Sequence, residues 1–371
     1  MELFSNQSTF HPTFLLTGIP GLQARSIGVS IPVCFAYAVA VLGNGIVLLV
    51  IVKDQTLHKP MYLFLCMLAV SELGVSISTL PTVLGVFLFD AREIGLDACL
   101  SQMFFIHSFS IMDSGVLWAM ALDRFIAIYN PLQYTTILTN VRIILLGSGI
   151  AMRSVLLMTP LPLLLRSLPF CRSNVLAHPY CLHPNLIQLP CADTTINNQT
   201  GLFVVLSTFG LDSLCIVFSY VMILKTVLSM ASKKGRLKAL NTCVSHICAV
   251  VLYYTPMIGV SMAHRFGRHN SPMLHSLMAN IYLLVPPILN PIIYSIKTKE
   301  IRRRECKLIV IIILRAPTRA SARLCTGDLS AVSVKPPFGI AAPLPALYLM
   351  SNMDRWLIQH HGPIGSHGGP I

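Results

Sequence analysis

Apolar residues fill the chain in seven long blocks separated by short polar segments: about Ile27 to Val52, Met61 to Phe87, Leu100 to Tyr129, Ile143 to Leu165, Gly201 to Leu228, Ala239 to Met262 and Leu274 to Ile296. A helix needs about 20 mostly apolar residues to cross the hydrocarbon of a bilayer, where each backbone polar group must be satisfied within its own segment. Every block meets that length and none is long enough for two crossings. The pattern predicts an all-α membrane protein, a seven-transmembrane helix bundle. The first 26 residues contain Pro12 and Pro20 and lack the basic start, short apolar core and small-residue cleavage site of a signal peptide, so the first block reads as a true span.

Composition agrees. Of 371 residues, 54% are hydrophobic and 11% charged, with a mean hydropathy of +0.70, whereas a soluble domain carries about 25% charged residues. Too few charges exist to clothe an aqueous surface, and a membrane is the remaining solvent. The formal net charge of +13 would raise nucleic acid as a partner in a soluble chain. The placement of the charges decides against it. Lys53, Lys59, Arg124, Arg142, Lys225, Lys233, Lys234, Arg236, Lys238 and the run from Lys297 to Arg304 fall on one side of the seven-span topology; Arg25, Arg92, Arg166, Arg172, Arg265 and Arg268 fall on the other. The positive-inside rule makes the first side cytoplasmic, with the N-terminus extracellular and the C-terminus cytoplasmic. Residues 1–26 are then an extracellular N-terminus, 27–305 the membrane domain, and 306–371 a cytoplasmic tail.

The sequon at Asn6 lies on the exterior side, where glycosylation is expected; a second, at Asn198, sits close to the bilayer. Cys99, Cys171, Cys181 and Cys191 also lie outside, an even number in an oxidising compartment that permits three pairings.

Two clusters mark the cytoplasmic end: Asp123-Arg124-Phe125 closing the third span, and Asn290-Pro291-Ile292-Ile293-Tyr294 closing the seventh. With Gly43-Asn44, Pro60-Met61-Tyr62-Leu63-Phe64-Leu65, and Lys238 through His246 (Lys-Ala-Leu-Asn-Thr-Cys-Val-Ser-His) at the start of the sixth span, they resemble rhodopsin-like G-protein-coupled receptors, and among them the odorant receptors. Ser167-Leu168-Pro169-Phe170-Cys171, Tyr180-Cys181-Leu182-His183 and His264-Arg265-Phe266-Gly267 resemble the class I, or fish-like, branch. The resemblance covers about residues 10 to 305. It implies a plasma-membrane receptor for small organic odorants that activates a stimulatory G protein and raises cyclic AMP. It also implies pairing of Cys99 with Cys181 and of Cys171 with Cys191, which makes the long segment from Arg166 to Thr200 a lid over the bundle.

An ionised guanidinium at the membrane boundary needs a carboxylate or polar partner, so Asp123 and Arg124 read as a latch. By resemblance the latch opens on activation, with Tyr220 and Tyr294 supporting the open state and Asn290 and Pro291 in the same machinery. Glu72, Asp113 and Asp212 lie inside spans, where a charge costs roughly 2.5 to 3.5 kcal/mol, and so face the bundle. The resemblance gathers Glu72, Asp113, Asn44 and Asn290 where related receptors hold Na⁺, although here the usual Asp of the second span and Glu of the third are exchanged. No cofactor beyond an allosteric Na⁺ is expected. Arg153 is expected to have a structural polar partner.

Arg265 is the expected anchor for a ligand anion, since its planar fork matches a carboxylate. Ser261, four residues earlier on the same helix face, and His183 on the lid would orient the head group. His107 and apolar neighbours would surround the tail. Carboxylic acids are therefore the expected ligand class. After Cys306 the resemblance stops: Leu308 to Leu314 is an apolar run too short to span, and the Pro- and Gly-rich remainder reads as disordered. A seven-helix transporter of small organic anions is the rival reading, weakened by the lack of an inverted repeat. A retinal protein would need a lysine within Leu274 to Ile296, and there is none. Neither GxSxG nor HExxH occurs, and no enzyme activity is expected.

Overall fold

The computed structural model describes residues 13–18, 27–171, 173–266 and 272–314. Each apolar block forms a helix that runs past the block predicting it: Ile27–Lys53, Pro60–Leu84 continuing through Gly85–Phe89, Leu96–Tyr129, Asn140–Met158 with Pro160–Arg166, Thr195–Val205 continuing to Ser229, Lys233–Phe266 and Pro272–Lys297. We call these spans one to seven. Pro60 opens span two at its first turn, where a missing N–H costs nothing. Pro160 restarts span four after Met158. A widened turn at Gly85–Phe89 ends span two, and another at Leu206–Gly210 joins the two pieces of span five.

Six of these helices are apolar and long enough to cross a membrane on composition alone. The exception is span three, 34 residues long but carrying Gln102, His107, Asp113, Asp123 and Arg124. Its polarity has a structural cause. Span three threads the middle of the bundle with 18 residues buried, whereas Asn140–Met158 of span four buries four. A central helix meets protein on most sides and can carry polar groups that find partners there. The peripheral helices turn large apolar side chains outward instead, among them Phe35, Ile144, Leu156 and Phe218. In a bilayer those faces meet acyl chains.

A three-stranded sheet, which the apolar pattern does not predict, stands at the end of the bundle that carries the disulfides. Strand β1 (Thr13–Leu16) lies between β2 (Glu93–Gly95) and β3 (Val175–Leu176), antiparallel to β2 and parallel to β3. In β1, Phe14 and Leu16 are buried while Thr13 is exposed, the alternation of a half-buried strand. Four residues is too short a period for sequence reading to separate from loop.

The chain divides into two compact units, Met1–Lys297 and Thr298–Ile371. In the second, the helix Lys299–Leu314 takes in the whole apolar run from Leu308. The expected disorder after residue 315 and the Asn6 sequon both lie outside the described residues.

Candidate functional site

At the end of the bundle opposite the sheet, Arg124 directs Nε to Asp123 Oδ2 at 2.9 Å and Nη2 to the same oxygen. The remaining carboxylate oxygen accepts from Tyr134 Oη at 2.6 Å. Asp123 is buried, and this pairing satisfies both of its oxygens. Tyr134 lies on a one-turn helix, Tyr134–Ile137, between spans three and four; burial and then the adjacent carboxylate push its hydroxyl pKa up. Sequence reading missed Tyr134, because one aromatic in a short loop carries no periodic signal.

Behind the latch, His246 joins three spans. A carbonyl oxygen can only accept, so the 2.9 Å contact to Leu117 O fixes the proton on Nε2; Nδ1 then accepts from Tyr220 Oη at 2.6 Å. The two rings stack with centroids 5.8 Å apart. Tyr220 and Tyr294 both lie within electrostatic range of Arg124. The Tyr294 hydroxyl is buried with no hydrogen-bond partner among the described residues.

The three intramembrane acids are all buried, as their cost in lipid requires, but they fall into two groups. Glu72 accepts from Asn290 Nδ2, and the Asp113 carboxyl stands within its field. Asp113 in turn accepts from Ser71 Oγ, while the two protons of Asn44 Nδ2 go to Ala40 O and Pro287 O. Glu72 Oε2 and Asn290 Oδ1 have no hydrogen-bond partner among the described residues.

Asp212 belongs to a separate network. Arg153 Nη1 and Nη2 reach its two oxygens at 2.8 and 2.7 Å, the paired geometry in which guanidinium and carboxylate bind most strongly. Ser114 Oγ donates to Asp212 Oδ2 at 2.9 Å and, with its proton so committed, accepts from Tyr254 Oη at 2.7 Å. One connected group thus joins spans three, four, five and six. The sequence shows that Arg153 needs a partner. It does not show which acid, since Asp212 is 59 residues away.

At the disulfide end, Cys99 bonds to Cys181 and Cys171 to Cys191. The first bond ties the segment after β3 to the top of span three. Gln102 reinforces it: Oε1 accepts from Cys181 N at 2.9 Å, and Nε2 donates to Ser78 O and Thr82 Oγ1. Tyr180 Oη donates to Asn280 Oδ1 on span seven at 3.0 Å. The segment 178–183 therefore lies across the bundle as a roof, with His178, Tyr180 and His183 all buried.

Beneath this roof two of the expected ligand residues meet. The backbone N–H of His183 donates to His107 Nε2 at 3.3 Å. An imidazole accepting at Nε2 in its neutral form carries its proton on Nδ1, which makes His107 a hydrogen-bond donor there. Ser261 is half-buried on span six, with its hydroxyl 3.7 Å from Met257 Sδ. Arg265 belongs to the helix Lys233–Phe266, and its side chain lies outside the described part of the molecule. Below, Phe209, Tyr253, Tyr254 and Tyr282 pack together, with Tyr253 Oη donating to Ser110 O. A separate apolar cavity of about 50 Å³ lies among Val33, Val83, Leu284 and Pro179, too small to hold a whole organic ligand.

Gly201 on span five makes room for the roof: a Cβ there would stand 2.7 Å from His183 Cε1. Gly201→Val is therefore expected to displace the imidazole. Ligand potency should fall about tenfold, the equivalent of about 1.4 kcal/mol. Dose–response curves at matched surface expression check this, and an unchanged curve would show that His183 has no part in recognition.

A seven-helix bundle with a disulfide-tied roof at one end and a buried Asp-Arg ion pair at the other has the fold of a rhodopsin-like receptor. Squid rhodopsin superposes with a TM-score of 0.62 over 86% of this chain and 95% of its own, at 17% identity, a likeness of fold alone. The family model "Olfactory receptor" matches residues 33–312. Human olfactory receptor 51G1 is 54% identical over 307 residues, covering 83% of this chain and 96% of the relative; human olfactory receptor 51I2 is 56% identical over 294 residues, covering 79% and 94%. The chain belongs to the olfactory receptor family, in its class I branch. It is a multi-pass plasma-membrane receptor with a small-molecule ligand and a G-protein partner, neither an enzyme nor the anion transporter of the rival reading. The family match runs to residue 312, past the Cys306 limit drawn from motifs alone.

Proposed function

We propose that this receptor recognises small carboxylic acids beneath the roof and signals through a stimulatory G protein to raise cyclic AMP, with the roof extracellular and the Asp123-Arg124 end cytoplasmic. One observation supports the reading: the disulfide-tied roof sets the backbone N–H of His183 on His107 Nε2 of span three, which leaves His107 Nδ1 as a donor at the covered end of the bundle. His107 Nδ1 and the Ser261 hydroxyl are neutral donors on spans three and six, and Arg265 belongs to the same end of span six. A carboxylate takes its charge partner from Arg265 and its hydrogen bonds from the neutral donors, while apolar side chains hold its tail.

The coupling reading rests on the opposite end. Asp123, held by Arg124 and Tyr134, keeps the guanidinium turned away from the cleft a G protein would enter. Loss of this pairing, with Tyr220 leaving His246 and the Tyr294 hydroxyl, which has no partner among the described residues, turning toward it, opens that cleft. Asn290 and Pro291 lie one turn before Tyr294 on span seven and set where it stands. Midway, Glu72, Asp113, Asn44 and Asn290 suit a hard monovalent cation: their oxygens are buried, and Glu72 Oε2 and Asn290 Oδ1 have unused acceptor capacity. Na⁺ held there would supply positive charge between the two acids and favour the resting arrangement. Asn6 is the proposed glycosylation site.

The test measures cyclic AMP in cells expressing the receptor or Arg265→Ala at matched surface levels, challenged with aliphatic acids from butyrate to decanoate and the alcohols of equal length. Acids should activate, alcohols should not, and the variant should lose the acid response. A variant that answers acids as the parent does removes Arg265 as anchor; equal responses to alcohols remove the carboxylate reading.

A further inference from the structure

The sheet at the covered end has its middle strand supplied by the N-terminal segment. β2 belongs to the connection between spans two and three, and β3 to the connection between spans four and five. The strand order β2-β1-β3 means that these two connections do not pair with each other. Among the described residues β1 joins them in the sheet, through Leu16 N to Arg92 O at 2.8 Å on one side, and Leu15 N to Asn174 O at 2.7 Å with Thr17 N to Leu176 O at 3.0 Å on the other. The Thr17 hydroxyl donates to Leu176 O as well, at 3.1 Å.

Apolar packing backs the hydrogen bonds. Phe14 and Leu16 are each 1% exposed, and the Phe14 ring meets Phe170 edge-on at 5.3 Å, next to the Cys171–Cys191 bond. β3 ends at Leu176, two residues before the roof segment begins at His178. The roof is thus pinned at its far end by Cys99–Cys181 and at its near end by β1. A disulfide is permanent in an oxidising compartment, whereas a four-residue strand can leave and return, since short backbone pairings open at a fraction of the global unfolding free energy.

We infer that strand β1 is a clasp that holds the roof down on the bundle, so that its attachment sets how readily ligand enters and leaves. The consequence for ligand rests on the recognition site proposed above; the clasp itself does not. β1 acts by adding a strand between two short edges, and each edge alone is too short to persist. Release of β1 leaves residues 173–180 tethered by the Cys171 and Cys181 bonds and by Tyr180 on Asn280, so that β3 moves away from the bundle and loosens the packing that seats His183 beside His107.

Leu16→Pro tests this directly. Proline removes the N–H given to Arg92 O and cannot occupy a central strand. In purified full-length receptor without ligand, hydrogen exchange across residues 173–183 should speed up about tenfold or more relative to the parent. A second variant pair, Leu15→Cys with Val175→Cys, joins residues that are Cα partners in the sheet and locks the clasp; oxidised, it should slow the same amides, and reduced, it should match the parent. If Leu16→Pro fails to reach the surface, the cysteine pair alone decides. Unchanged exchange in 173–183 in a folded Leu16→Pro receptor, or on locking, overturns the clasp. The acid challenge separates the two proposals: faster exchange with weaker acid potency supports both, and faster exchange with unchanged potency upholds the clasp while overturning the roofed ligand site.

Discussion

Arg153→Met will destabilise the folded receptor by about 3 kcal/mol, near the lower end of the range for breaking a buried ion pair. The lower end applies because the Arg153 side chain is 28% exposed, whereas Asp212 is 3% exposed. After the change Asp212 keeps only the Ser114 hydroxyl as donor, and its charge has no counter-ion. Asp212→Leu should cost a similar amount by stranding the guanidinium. The double variant Arg153→Met with Asp212→Leu should lose less than either single one, since two apolar side chains of similar volume leave nothing unpaired. Thermal unfolding of the receptor in detergent micelles gives all three values. A double variant whose loss equals the sum of the singles would mean that the pair is not coupled. The same network joins spans three to six through Tyr254, so the stable double variant should still respond poorly to ligand: the fold survives with apolar packing, but the polar link from span six to span three does not.

The second large effect belongs to the roof. Cys99→Ser should abolish ligand-evoked signalling and most surface delivery, whereas Cys171→Ser should leave a measurable response. Either loss removes a disulfide, generally worth about 2 to 5 kcal/mol. Cys99 joins the roof to another span across 82 residues, while Cys171–Cys191 closes a 20-residue loop whose end Phe170 is also held by Phe14. Flow cytometry of surface protein with dose–response curves distinguishes the two variants. Equal loss from both would mean that the roof needs its own loop closed as much as it needs span three.

The Arg153 network shows how far sequence reasoning reaches at a site. A permanent cation within an apolar block demands a polar partner, so the existence of a pairing was legible. Its identity was not, because Glu72 and Asp113 offered equal chemistry. Only the packing of spans three, four and five brings Asp212 to Arg153. Likewise the Lys238–His246 motif identifies the family without giving His246 its task, which depends on a carbonyl in span three and a hydroxyl in span five. Tyr134 and strand β1 left no trace in the pattern. Each is too short to establish a period, and its partner lies on a separate segment.

The sequence by itself determined the solvent, the seven helices, the family and the residue types available at each end. Those follow from transfer free energy and local motifs, which act over one helix length and are written in consecutive residues. The tertiary structure alone decided which acid neutralises Arg153, that His183 seats on His107, and that the N-terminal segment is the middle strand of the sheet beside the roof. These are contacts between segments far apart in the chain. Their energies depend on the relative positions of whole helices, and an apolar pattern that says only inside or outside does not specify those positions.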